Sequence, residues 1–477
     1  MKPISLFKSG LWITYATLIT RGFAFLSSLV LARLLEPSDF GIIGIAYVFW
    51  SFFTLFTQDT AGSFIIYKGI DNPNYVNTAY TVSLIIGSVF GLGIVAAAPL
   101  IASFFNEPAL TWILRAFSLN IVLSSAGYVY SGVMTRQLKY RAIANITLAA
   151  SIIRLLSTTG AALLGLSYWS FVIGDTMGWI VFCVLNWYYS KHQFRLQLHP
   201  EVKSEVLSFC INAVGSSIGM YTNFNIDNFV VGKLLGSTSL GYYNLAYQLT
   251  MTLSTVVGAL LDKLGTPLFA QITDEDRQKK ALENVAEQIA LFAAPACALI
   301  FLVATPQVIA VVFGEKWIPI NTVIPGLLFF AYFRIFNSSI RSMLVAKGRP
   351  DLNAKVNLKI APFAVLSFVV GAHQGGIVGV SLAAALVLGL GWTVYWWWFA
   401  CRDLNWGLKE FMFSCFVPLL LTIPGILISF KLSLIPSLLV FMVTYLLCTF
   451  IFKRKYFSIY KTVANQAAMK LRLYLNY

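Results

Sequence analysis

Three arginines stand inside runs that are otherwise Leu, Ile, Phe, Ala and Ser: Arg21, Arg154 and Arg334. Each falls near the middle of a stretch long enough to cross a bilayer. A central Arg in a spanning helix costs on the order of 2.5–3.5 kcal/mol on translocon scales, so it normally faces a cavity or a partner. Its planar guanidinium grips phosphate or carboxylate in bidentate fashion, which makes an anionic ligand the first chemistry to consider. Structural ion pairing with Asp59, Asp175 or Asp227 competes with that reading, and Asp59 and Asp175 are also candidates for ion coupling. Arg115 and Lys263 lie nearer helix ends, where long side chains reach the interface and give less information.

Amides and hydroxyls form a second set. Asn212, Ser216, Asn223 and Asp227 follow i, i+4, i+11 and i+15, which places them on one face of a helix. Asn244, Gln248 and Thr252 follow at strict i+4 spacing. A groove lined this way suits sugar hydroxyls, which need many neutral hydrogen bonds. The same residues serve equally well as helix–helix contacts. Asp227 is in addition a candidate for holding a coupling cation.

The elements that position these residues follow from composition. The 477 residues are 58% apolar and 11% charged, with a mean hydropathy of +0.76. Soluble domains carry about 25% charged residues. Lipid is therefore the solvent for most of the surface, where only helices or closed barrels satisfy the backbone. Unbroken apolar runs such as Thr81–Phe105 and Phe411–Phe430 exclude the alternation of a barrel strand. At about 20 residues per span, helices are expected near 11–33, 41–66, 80–104, 112–134, 146–166, 168–189 and 209–234. A second series is expected near 240–262, 285–313, 321–345, 357–372, 376–400, 411–430 and 434–452. The fold class is an all-α integral membrane protein of about fourteen transmembrane helices. The first stretch exceeds the 7–15-residue core of a signal peptide and reads as a retained helix.

Basic residues orient the bundle. With the N-terminus inside, 24 of the 34 Lys and Arg lie in inner segments, four in outer segments and six within helices. One missed helix would reverse every later loop and spoil this asymmetry. Both termini are thus expected in the cytoplasm, with the basic tail 453–477 along the anionic inner leaflet. The net charge of +15 belongs to this pattern, and no nucleic-acid partner is expected.

Other motifs carry less. Asp274–Glu275–Asp276 matches DxD but sits in a loop beside Arg277, Lys279 and Lys280, where a charge cluster opening the ninth helix explains it. No GxxxxGK[ST] occurs. Six scattered cysteines and three distant histidines suggest neither disulfides nor a metal site, and no cofactor is expected. Tyr395–Phe399, with three successive Trp, reads as an interfacial aromatic belt.

The chain also repeats itself. Residues 32–47, ARLLEPSDFGIIGIAY, align without a gap on 232–247, GKLLGSTSLGYYNLAY. Leu34/Leu234, Leu35/Leu235, Gly41/Gly241, Ala46/Ala246 and Tyr47/Tyr247 are identical. Each copy lies at the outer turn between the first two helices of a half, with Arg33 or Lys233 at a helix C-terminus, where a cation suits the dipole. Six helices separate the copies, so the halves run parallel across the membrane. The expected lobes are 1–200 and 201–405, followed by two added helices in 406–452.

These segments resemble the polysaccharide transporters of the multidrug/oligosaccharidyl-lipid/polysaccharide (MOP) superfamily. Matching runs are ARLLEPSDFGIIGIAY, Ile226–Tyr247, TRQLKYRAIAN (Thr135–Asn145), FGEKW (Phe313–Trp317) and AKGRPDL (Ala346–Leu352), in order over roughly 10–360. They are similar to Wzx and WzxC-type flippases of capsule, exopolysaccharide and O-antigen pathways. The resemblance implies two six-helix lobes, alternating access, and undecaprenyl-pyrophosphate-linked oligosaccharide as cargo at the bacterial inner membrane. It further implies a monomer working with a polysaccharide polymerase and export machinery, and no enzymatic step. In that setting Arg21, Arg154 and Arg334 would meet the pyrophosphate. A multidrug or other small-molecule exporter of the same superfamily is the second reading. A membrane polymerase or ligase is the third, disfavoured by the lack of a substantial outer loop.

Overall fold

The computed structural model describes residues 3–58, 60–429 and 432–452, with side chains outside the description at 3–11, 13–15, 215–220, 222, 259–260, 262–264, 350 and 354. The first half runs α1 (Pro3–Leu34), α2 (Pro37–Thr54), α3 (Ala61–Lys68), α4 (Pro73–Phe105), α5 (Leu110–Arg136), α6 (Tyr140–Leu163) and α7 (Trp169–Ser190). Then come α8 (Pro200–Ala270), α9 (Glu275–Val303), α10 (Pro306–Val312), a 3-10 turn (Glu315–Thr322), α11 (Ile324–Ala346) and α12 (Pro350–Ala383). A π stretch (Ala384–Gly391), α13 (Trp392–Asp403), α14 (Leu408–Ser429) and α15 (Leu434–Phe452) complete the chain. No strand occurs among the described residues.

Each of the fourteen expected spans overlaps helix, two of them with an interruption. Among the described residues, nine helices are long and apolar enough to cross a membrane, or ten if the bent pair Glu315–Thr322 and Ile324–Ala346 forms one span. The count is smaller because α2 and α8, which hold three expected spans, are not among the nine, and α12 opens one continuous run that holds two more. At about 1.5 Å per residue the 71 residues of α8 would be roughly three times a bilayer core in length. The helix breaks at Gly236, whose φ of 83° is a left-handed conformation open to glycine at no steric cost. α12 breaks at Gly375 and Gly376. Two spans expected as continuous are interrupted: the second between Thr54 and Ala61, and the ninth at Val303 before Pro306.

Helix starts are locally encoded. Pro37 and Pro73 open α2 and α4 at positions where a missing N–H costs nothing. Asp274 caps α9 by accepting from the Arg277 amide at 2.8 Å, which accounts for the DxD run.

The described residues belong to two compact units, one drawn from Met1–Thr252, Ile309–Leu327 and Pro350–Leu388, the other from Leu253–Val308, Leu328–Arg349 and Gly389–Tyr477. Within the first, Phe64, Val76, Val82, Val133 and Val206 form one apolar core. The link 191–199 is non-helical and stitched to α4. Backbone amides of Arg195, Gln197 and His199 donate to Asn77 Oδ1, Thr81 Oγ1 and Thr78 Oγ1 at 3.1, 3.1 and 3.2 Å. Phe194 stacks on Tyr80 with ring centroids 4.4 Å apart. Just beyond the link, Lys68 of α3 pairs with Glu205 of α8.

Within the second unit, Phe441 and Tyr445 of α15 pack on Ala298 and Leu302 of α9. Within the aromatic run Trp398 is exposed, as an interfacial belt expects, but two other rings are not. Trp396 and Trp397 are buried, Trp396 stacked on Trp392 and Trp397 packed on Phe411 at 4.9 Å. A run of large rings fills space between helices as readily as it meets headgroups, and here the helix face decides. Large apolar side chains such as Leu100, Leu164 and Leu427 are instead the exposed ones, as a lipid-facing surface requires.

Candidate functional site

The arginines have different surroundings. Arg154 on α6 forms an ion pair through Nε with Asp175 Oδ1 on α7. Tyr47 of α2 donates its hydroxyl to Asp175 Oδ2 at 2.6 Å, and Arg154 Nη2 donates to Tyr47 Oη at 3.1 Å. Asp175 is buried, whereas the Arg154 side chain remains 48% exposed. Three helices thus converge on one neutralised cluster, in keeping with the rule that intramembrane charges pair.

Local sequence explains how α7 comes so close. A Cβ on Gly174 would lie 1.7 Å from Thr158 Oγ1 and 3.1 Å from the Arg154 carbonyl oxygen. A Cβ on Gly178 would lie 3.2 Å from that of Arg154. Glycines four apart share one face, and removing both side chains lets two membrane helices approach closely. The run Gly174-Asp-Thr-Met-Gly178 therefore places Asp175 against Arg154. This small-xxx-small signal was present in the sequence and was not used above.

Arg21 differs. It lies on α1, is exposed, and has no ion-pair or hydrogen-bond partner among the described residues. Arg334 belongs to the other unit, half-buried on α11 with its guanidinium 5.7 Å from the Phe330 ring centre.

The polar face of α8 divides as well. Asn223 and Asp227 are buried. Asn223 Nδ2 donates to Asn357 Oδ1 at 3.0 Å, and Asn357 Nδ2 donates in turn to Asn353 Oδ1 at 2.7 Å. Tyr243 donates to Asp227 Oδ2 at 3.0 Å. These two expected groove residues therefore join helices. Asn212 is exposed, while Asp59 and the side chain of Ser216 lie outside the described residues. Beyond the Gly236 break, Asn244 is half-buried and Gln248 is exposed, accepting from Ser28 Oγ at 2.8 Å. Sequence reasoning missed Tyr47, Ser51 and Tyr221. Tyr221 donates to the Val48 carbonyl at 2.6 Å, and Ser51 to Asn225 Oδ1 at 3.4 Å.

Comparison with known proteins gives a consistent picture. The sequence profile of the family described as "Polysaccharide biosynthesis protein" matches residues 30–322. The chain is similar to the lipopolysaccharide biosynthesis protein WzxC of Escherichia coli (strain K12), 25% identical over 432 residues, covering 89% of this chain and 87% of that one. Its fold is similar to that of the lipid II flippase MurJ in an inward closed conformation, with a TM-score of 0.69 at 14% identity over 93% and 99% of the two chains. It is also similar to an inward-facing multidrug resistance MATE family transporter of the MOP superfamily, with a TM-score of 0.62 at 14% identity over 82% and 95%.

Proposed function

Because the chain belongs to the polysaccharide biosynthesis protein family, we propose that it flips undecaprenyl-pyrophosphate-linked oligosaccharide outward across the bacterial inner membrane by alternating access. It is a transporter and not an enzyme, in keeping with a relative named a succinoglycan biosynthesis transport protein and a protein of similar fold named a lipid II flippase. The two lobes 1–200 and 201–405 would move around the cargo, with 406–452 as added helices and both termini inside. A single chain suffices, passing its cargo to a polymerase and export machinery.

The observation that carries this reading is Arg21, an exposed guanidinium midway along an apolar helix with no partner among the described residues. Such a charge is tolerated where a ligand of opposite charge completes it. Arg154 and Arg334 are secondary candidates for the pyrophosphate, and Asn212, Asn244 and Gln248 for the sugars. A headgroup with about two negative charges gains about 2.3 kcal/mol per charge per 100 mV when it leaves a negative interior, so the membrane potential alone favours export.

The test is flipping of a fluorescent undecaprenyl-pyrophosphate oligosaccharide in proteoliposomes. Movement by the wild type that collapses in Arg21→Gln supports the reading. Folded, oriented protein that moves no cargo refutes it and leaves the small-molecule exporter.

A further inference from the structure

The repeated turn packs against itself. A Cβ on Gly41 would lie 1.7 Å from the Ser237 carbonyl oxygen, and one on Gly241 would lie 1.8 Å from the Pro37 carbonyl oxygen. Positions 37 and 237, like 41 and 241, are separated by the repeat offset of 200. The two contacts are therefore one contact seen from each copy, as in an isologous two-fold interface. Gly44 and Asn244, also equivalent, meet directly, since a Cβ on Gly44 would lie 2.0 Å from Asn244 Nδ2. Only positions near the two-fold axis meet their own counterparts.

The basic residue of each copy repeats the pattern. Arg33 donates to the carbonyls of Val311 and, at 3.0 Å, Val312, at the end of α10. Lys233 donates to the carbonyl of Phe104, one residue before the end of α4, and sits 4.2 Å over that ring. α4 is the third span of the first half, and α10 completes the third span of the second. Each cation therefore caps the last-turn carbonyls of the opposite half, where orphan acceptors and the helix dipole favour it. Trp317 donates from Nε1 to the Ala32 carbonyl at 2.7 Å and meets Phe40 and Tyr242, one ring from each copy. Lys316 bonds Glu36 at 3.2 Å.

We infer that these reciprocal contacts form a releasable clasp at the outer end of the molecule, and that opening to that side unfastens it as one unit. The inference rests on the alternating-access reading. Closure depends on bare backbone meeting bare backbone at two glycines, and the charged contacts are exposed, so water can replace them on release. Trp317 is the large buried wedge between the copies. A methyl group at either glycine pushes the same two strands of backbone apart, so the two positions act alike.

The test needs no cargo. In the full-length protein, Asn244→Cys is labelled with a membrane-impermeant maleimide from the outside, with the wild type as blank. Gly41→Ala and Gly241→Ala should each raise labelling about fivefold or more, and by similar factors. Unchanged labelling overturns the inference, as does a response to one glycine alone. Should the glycine variants fail to accumulate, Glu36→Cys with Lys316→Cys decides. Joining them with a short reducible cross-linker should abolish labelling and transport, and reduction should restore both. Transport that continues while cross-linked overturns the clasp. Labelling that responds as expected while the wild-type protein, with Asn244 in place, does not move the oligosaccharide leaves the clasp standing and rejects the cargo.

Discussion

Arg21 and Arg154 lie in the same half of the chain, on helices of similar apolarity. One is held by a carboxylate and a phenol; the other meets neither among the described residues. The difference arises from α7, where two glycines allow Asp175 to be delivered to α6. An arginine in the membrane is thus defined by whether a neighbouring helix can approach closely enough to neutralise it. Where one can, the arginine holds helices together, and where none does, the charge remains available to a ligand.

Five substitutions test that contrast. If Arg21 meets the cargo as proposed, Arg21→Gln removes a charge-assisted hydrogen bond of about 1.5–3 kcal/mol, and flipping at limiting cargo should fall about tenfold or more. Arg154→Gln should cost flipping distinctly less, and equal losses would erase the distinction. Asp175→Asn leaves the Arg154 guanidinium without its counter-charge. Breaking a fully buried pair costs about 3–5 kcal/mol; with Arg154 half exposed, about 2 kcal/mol is expected. The loss should appear as lowered thermal stability in detergent, and adding Arg154→Gln should recover part of it. Gly174→Ala should cost about 1 kcal/mol through overpacking against Thr158, read as a smaller shift in the same assay. Asn223→Ala removes the donor shared by the backbone carbonyl and Oδ1 of Asn357; about 0.6 kcal/mol per interhelical hydrogen bond is typical in membranes, and Arg21-dependent flipping should stay intact.

Apolar runs and basic loops were enough to read the helices, because hydropathy and charge asymmetry are properties of the chain alone. The breaks were less visible. Gly236 was hidden in a gapless alignment opposite Glu36, and only its φ of 83° shows the turn it makes. The interruption between α2 and α3 lies in an expected span whose Thr57, Gln58 and Thr60 are polar, with no proline to mark it. Site residues were legible by type but not by partner. Periodicity put Asn223 and Asp227 on one face of α8, yet which helix covers that face depends on contacts far along the chain, such as Asn357. The repeat was legible as similarity, while the fact that its copies touch required three dimensions.

The stitched link at 191–199 changes where the protein divides. Its amides are held by Asn77, Thr78 and Thr81, and the start of α8 is tied to α3 through Lys68 and Glu205. The link that leads out of the first six expected helices is therefore not a mechanical joint. The leading turns of α8 are cargo of the first half, carried wherever α3 and α4 go, and the nearest bend free of this stitching is the glycine break at Gly236.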